Sequence, residues 1–200
     1  MSQPFLLGLT GSIGMGKSTT AALFAAEGIP VWDADATVHA LYAAGGAAVA
    51  GIAALFPDAT EGGFVDRARL KAHIAADPTA LTRIEALVHP LVAAHRAGFI
   101  AGAAAMGARL IVLDIPLLFE TGADKTVDAT LVVTAPPEVQ RARVMERPGM
   151  TADHFRTILA RQMPDAEKRG RATHVIETTT LDAARAAVRA LIARLEPNHA

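Results

Sequence analysis

The chain has 200 residues, 52% hydrophobic and 20% charged, enough for one α/β unit with an added lobe and a real core. A formal net charge of −1 gives no basic field of the kind that draws a protein to nucleic acid or to a membrane surface. Cysteine is absent, which excludes disulfides, thiolate metal sites and cysteine nucleophiles and fits a reducing cytoplasm.

The first apolar run, residues 5–9, reads as a strand and not as a secretory signal, because no basic segment precedes it and a glycine-rich stretch follows. That stretch, Gly11-Ser12-Ile13-Gly14-Met15-Gly16-Lys17-Ser18, fits G-x-x-x-x-G-K-[ST] and opens a helix near Lys17. Small residues let backbone N–H groups curl around a β-phosphate, and the helix N-terminus adds unpaired donors and partial positive charge. Lys17 is placed to reach the β- and γ-phosphates, and Ser18 to give its hydroxyl to Mg²⁺. The competing reading is a glycine-rich turn without a ligand.

A second strand at 30–32 ends at Asp33. Ligands of open α/β sheets bind at the C-terminal ends of strands, so Asp33 is placed to take a hydroxyl proton or to hold a water on Mg²⁺. Its alternative is a helix N-cap, a role expected more of Asp35. Residues 36–104 hold no convincing buried strand and read as several helices, with breaks at Pro57, Gly62-Gly63, Pro78 and Pro90. The Ala- and Gly-rich stretch at 97–108 is too short to span a bilayer.

Further buried strands are expected at 110–115, 129–134 and 174–177, and strand–helix alternation of this kind predicts a parallel sheet covered by helices. Asp114 ends the third strand, where it would orient a Mg²⁺-bound water, bind substrate or cap a loop. No Glu follows Asp114, unlike a motor or transport ATPase. The single asparagine, Asn198, leaves no N-K-x-D guanine reader, so a small-molecule kinase is the best class. Residues 141–165 read as a helical hairpin turning near Pro148-Gly149. The segment 141–171 carries eight basic and four acidic residues, a balance of +4. Most of those charges suit a solvated helix pair. Arg143 and Arg147, four apart, share a face of the predicted helix and would clamp triphosphate oxygens. The last helix shows a stripe of Leu181, Ala184, Val188, Leu191, Ile192 and Leu195, with Pro197 after it and a loose end beyond.

Taken together, these motifs resemble those of dephospho-coenzyme A kinases over most of the chain. The opening G-L-T-G-x-I-G-x-G-K-S-T stands as 8–19, D-A-D as Asp33-Ala34-Asp35, and a His-Pro pair as His89-Pro90. D-x-P-L-L-F-E is complete at 114–120, Q-x-x-R-x-x-x-R appears as Gln140, Arg143 and Arg147, and R-Q as Arg161-Gln162. The resemblance implies transfer of the ATP γ-phosphoryl to the ribose 3′-hydroxyl of dephospho-CoA, with Mg²⁺, in the cytoplasm, by a monomer or small homo-oligomer. It implies a parallel-sheet P-loop core (1–35, 105–140, 166–200), an inserted helical acceptor lobe (36–104) and a helical lid (141–165). The ATP-binding set is Gly11, Ser12, Ile13, Gly14, Met15, Gly16, Lys17, Ser18 and Thr19. Asp33 is then the base, Lys17, Arg143 and Arg147 the catalytic cations, and Ser18 the metal ligand. Asp33, His89, Asp114, Pro116, Leu117, Leu118, Phe119 and Glu120 would line the acceptor site. Core packing is the alternative for Leu117, Leu118 and Phe119, and a packing or helix-break role for His89. One departure concerns adenine recognition: where the family reads A-D-x-V-I-x-N, this chain has Thr173 and Thr178 in place of Asp and Asn. The rival readings are a nucleoside monophosphate kinase and a nucleotide-dependent binding module without an acceptor.

Overall fold

The computed structural model describes residues 3–195. Pro197, Asn198 and the expected loose end lie outside them. In chain order the elements are β1 (Phe5–Thr10), α1 (Lys17–Ala26), β2 (Val31–Asp33), α2 (Ala34–Tyr42), α3 (Val49–Leu55), β3 (Thr60–Glu61), β4 (Phe64–Val65), α4 (Arg67–Ala76) and α5 (Pro78–Ala105). There follow β5 (Leu110–Asp114), β6 (Ala129–Thr134), α6 (Pro137–Met145), α7 (Ala152–Ala160), α8 (Asp165–Arg171), β7 (His174–Glu177) and α9 (Leu181–Leu195). They group into two compact units, one holding residues up to Trp32 and from Gly102 onward, the other Asp33–Ala101.

In the first unit the sheet runs β2-β5-β1-β6-β7. β1 pairs in parallel with β5 and with β6, and β6 in parallel with β7. Every residue of β5 and β6 is buried, the signature of strands covered on both faces, and this is why their sequences are apolar runs and not alternations. Leu7, Leu9, Phe24, Val112, Leu131 and Val133 centre the core, and α9 adds Ala184, Val188, Leu191 and Leu195. Leu181, expected on the α9 stripe, is 52% exposed: it is the first residue of the helix, and the stripe begins one turn later.

The second unit has its own core of Leu41, Ile52, Phe56, Val65, Leu70, Ile84 and Val88. Two expectations fail here. A short hairpin, β3 to β4, stands where no strand was expected, closed by Gly62 and Gly63 at φ 58 and 79. Two successive left-handed residues make the tight turn that matches strand twist, and glycine adopts them without strain. Pro90, expected to break a helix, lies inside α5. It removes one backbone donor, yet Ile84, Val88, Leu91 and Val92 bury the same helix on both sides of it, and this packing carries the helix through. Pro78 does start α5, where a missing N–H costs nothing. Among the described residues no helix is long and apolar enough to cross a membrane.

Candidate active site

The glycine-rich loop leaves β1, the central strand, and enters α1. Gly14 and Gly16 have φ 78 and 86, and a Cβ at Gly14 would stand 2.5 Å from Val144. Any other residue at either position would be strained or would clash. Gly16 caps α1 with no side-chain hydrogen bond, and the first turn of the helix holds no acidic residue. The N–H groups of that turn thus have no side-chain acceptor of the usual kind, which leaves the helix end chemically suited to an anion. Ser12 and Met15 are buried, Met15 with its sulfur accepting from Ala135 N–H at 3.1 Å, so they offer a ligand only their backbone. Ser18 and Thr19 are exposed.

Lys17 sends its Nζ to Asp114 Oδ1 at 2.5 Å. Asp114 is 2% exposed and ends β5, next to β1 in register, so the start of α1 and the end of β5 bring an ammonium and a carboxylate together. The loop beyond Asp114 is tied to β1, with Ile115 N–H donating to Leu9 O at 2.9 Å and Thr10 Oγ1 to Pro116 O at 3.0 Å.

The 116–120 segment divides. Leu117 is 40% exposed, whereas Leu118 is fully buried and Phe119 is 7% exposed. A Cβ at Gly8 would lie 3.1 Å from Leu118, so Leu118 seats on the bare backbone of β1. Leu118 and Phe119 therefore pack the core and do not line an open surface. Glu120 Oε1 accepts from Met163 N–H at 2.9 Å and lies 2.8 Å from Lys168 Nζ, while Lys168 is wholly buried. Burial pushes the Glu120 carboxyl up, but the Lys168 ammonium and the Met163 N–H outweigh it and hold it below its ordinary value.

Arg143 and Arg147 do not share a helix face. α6 ends at Met145, and Arg147 follows in the turn, its N–H on Val144 O. Arg143 donates through Nη1 to Thr178 Oγ1 at 3.1 Å and through Nη2 to Thr178 O at 2.5 Å. Of the other basic residues in this segment, Arg156, Arg169 and Arg171 pair with acids three or four residues away on their own helices.

In the second unit Asp33, an exposed residue, is the N-cap of α2 and accepts from Ala36 N–H at 2.9 Å. Asp35, expected as the cap, sits in the first helical turn instead. The unit also holds a pocket of about 320 Å³ with an apolar floor that includes Val38, Leu70 and Val88. Tyr42, Arg67, Lys71 and His89 give it polar groups. Burial raises the Tyr42 phenol, and the charge of Arg67 partly offsets the rise.

Residues 5–182 match the family model of dephospho-CoA kinase. The chain belongs to the dephospho-CoA kinase family. It is 65% identical over 193 residues to a protein from Cereibacter sphaeroides bearing that name, covering 96% of each chain. A Rhodopseudomonas palustris dephospho-CoA kinase is 55% identical over 188 residues, 94% of each chain. A Thermus thermophilus crystal structure superposes with TM-score 0.82 at 39% identity, covering 97% of this chain and 99% of that one. The dephospho-CoA kinase of Campylobacter jejuni, at 19% identity, shares the fold with TM-score 0.67 over 97% of this chain and 98% of its own.

Against that family pattern, the two departures have structural partners. Thr173 Oγ1 accepts from Thr130 N–H at 3.1 Å and so closes the start of β7 onto β6. Thr178 Oγ1 donates to Met15 O at 2.8 Å, so this hydroxyl joins the glycine-rich loop to Arg143. Sequence reasoning missed three further residues. Gln140 donates to Ile13 O at 2.8 Å, and Gln162 accepts from Ile13 N–H at 3.1 Å. Lys168 read as one surface cation among eight. The two glutamines stood in matched motifs, which was the available signal. Lys168 gave none, since its partner is remote in sequence.

Proposed function

We propose that this chain is the dephospho-CoA kinase that its family membership indicates, transferring the γ-phosphoryl of ATP to the ribose 3′-hydroxyl of dephospho-CoA to give ADP and CoA. The observation that carries the reading is the uncapped α1 N-terminus, with Lys17 as its first residue paired to Asp114 at the end of β5. That arrangement supplies N–H donors, an ammonium and a carboxylate to one phosphate-sized locus. Backbone N–H groups within Gly11 to Thr19 cradle the phosphates, and Lys17 neutralises charge that builds on the transferring group. Arg143 and Arg147 supply further cations, Arg143 from its seat on the Thr178 carbonyl. Asp33 takes the acceptor proton. Mg²⁺, when bound there, would supply further positive charge to offset that of the phosphates. The exposed hydroxyl of Ser18 and the Asp114 carboxylate suit it, being oxygen donors of the kind a hard cation takes.

The second unit is the acceptor lobe in this reading. His89 and the apolar pocket receive the non-reacting part of dephospho-CoA, and Pro116 and Leu117 contribute from the loop after Asp114. Residues 141–165 act as the lid that keeps water from the phosphoryl group. A cytoplasmic location and a monomer or small homo-oligomer belong to the same reading. The test is ADP release from Mg²⁺-ATP with dephospho-CoA, with AMP, and with no acceptor. Release that depends on dephospho-CoA, with CoA formed in equal amount, supports the reading. Release with AMP alone overturns the acceptor, and no acceptor-dependent release from a protein that binds ATP overturns the transfer.

A further inference from the structure

Glu120 closes the D-x-P-L-L-F-E run, where the resemblance made it an acceptor ligand. Its surroundings give it other work. Oε1 is engaged by Met163 N–H and by Lys168, and Oε2 is buried without a hydrogen-bond partner among the described residues. Neither oxygen is offered to a substrate. The residue before Met163 is Gln162, whose Oε1 accepts from Ile13 N–H in the glycine-rich loop. Gln140 holds the other backbone group of the same residue, Ile13 O. Ile13 is thus clamped at both its N–H and its C=O, immediately before the left-handed Gly14. Gln140 comes from α6 and is 7% exposed. Gln162 comes from the short connection between α7 and α8, which has less to fix it. Two features do: the Glu120 bond at Met163, and α8, whose Lys168 N–H donates to Pro164 O at 3.0 Å while its ammonium pairs with Glu120.

We infer that Glu120 is a positioning residue for nucleotide binding: with Lys168 it fixes the 162–164 connection, and through Gln162 it sets the conformation in which the glycine-rich loop meets phosphate. The inference rests on the nucleotide-binding reading of that loop. A preorganised set of donors binds an anion without spending free energy on ordering itself, so loosening Ile13 lowers affinity for nucleotide and leaves the acceptor alone. A residue that touched the acceptor would do the reverse.

ADP binding by calorimetry, acceptor KM and melting temperature, measured on four proteins and on one combination of their substitutions, test this. The first is the wild type. In the second, Gln162→Met keeps the shape and removes the acceptor of Ile13 N–H; ADP affinity falls about fivefold, the size of one neutral hydrogen bond, with acceptor KM unchanged and melting temperature lowered by at most about 2–4 °C. The third, Glu120→Met with Lys168→Met, removes the buried pair as a unit and so avoids leaving one charge alone. It weakens ADP binding to a similar extent, and adding Gln162→Met to it costs little more, because both act on one contact. The fourth, Glu120→Gln with Lys168→Met, retains an oxygen for Met163 N–H and recovers part of the lost ADP affinity, the remainder having depended on Lys168. A role confined to stability predicts a lower melting temperature with ADP affinity intact, and that result would overturn the inference. So would a raised acceptor KM at unchanged ADP affinity, which would return Glu120 to the acceptor site. A folded wild type that binds no ADP would remove the nucleotide reading itself, a failure that the variants alone cannot mimic.

Discussion

Both units carry exposed ion pairs, but among the described pairs only the first unit also buries some. In the first, the pairs that matter are buried: Asp114, beneath Lys17, has a side chain 3% exposed, and Lys168, against Glu120, is 0% exposed. In the second, Arg69 meets Glu61, His73 meets Asp58 and Arg83 meets Asp77, with at least a third of nearly every partner open to water. Water screens the second set, and a rotamer change replaces any of its contacts with hydration. The first set has no such exit. Removing one partner strands a charge in a poorly solvated place. The proposed phosphate site therefore lies on a framework where charge is fixed, while the second unit carries its charge at the surface.

Asp33 breaks the pattern and carries the largest expected effect. It is a carboxylate of the second unit, exposed and half occupied with capping α2, yet it is the proposed base. Asp33→Asn keeps an oxygen for Ala36 N–H, so the helix cap survives. Turnover falls about 10²- to 10⁴-fold with ADP affinity intact, measured by steady-state kinetics and calorimetry. Full turnover in this variant removes Asp33 from the chemistry.

The next effect sharpens the contrast directly. Lys168→Met alone leaves the half-buried Glu120 carboxylate with the Met163 N–H and no cation, and costs about 2–4 kcal/mol in urea unfolding. Arg69→Ala, in the lobe, costs within about 1 kcal/mol by the same measurement. Equal losses would mean that burial does not separate the two sets. Leu118→Ala follows at about 2–5 kcal/mol, because a fully buried side chain seated on Gly8 leaves a cavity that two strands cannot close. A loss in acceptor KM without a loss in stability would instead make Leu118 a lining residue.

The same contrast explains what was legible in the sequence. The strands of the first unit are apolar runs because both their faces are covered, and a run of that kind is visible residue by residue, as in Leu110 to Leu113. The glycine-rich loop is legible for a different reason: Gly14 and Gly16 must be glycine, so the chemistry and the letter coincide. The lobe was less legible. Its hairpin has two-residue strands, too short for any period, and only the turn glycines announced it. Pro90 misled because a local rule about one missing donor was outweighed by burial on both sides of it. In the site, what failed to show was every contact made across the fold by a residue of ordinary type. Lys168 looks like its neighbours Arg169 and Arg171, which pair within their own helix, and only tertiary packing turns Lys168 inward. Arg147 failed for a local reason, since α6 stops before it is reached.

Acid provides the smallest and most specific contrast. Glu120 and Asp58 both have carboxyl pKa values below the ordinary value, Glu120 through Lys168 and Met163 against its burial, Asp58 chiefly through the His73 hydrogen bond. A carboxyl held low in the folded state contributes stability that is complete above its unfolded pKa and is lost as pH falls through the folded one. From about pH 5 down to about pH 3, melting temperature therefore falls for the wild type, and part of that fall belongs to Glu120. Glu120→Gln with Lys168→Met removes that part and flattens the acid limb. His73→Gln flattens the limb much less than the double variant does, because Asp58 is exposed and solvent replaces most of what its partner supplies. If the His73 variant flattened the curve as much as the double variant did, a solvent-exposed pair would be contributing like a buried one, and the distinction drawn between the two units would fail where it is most directly measured.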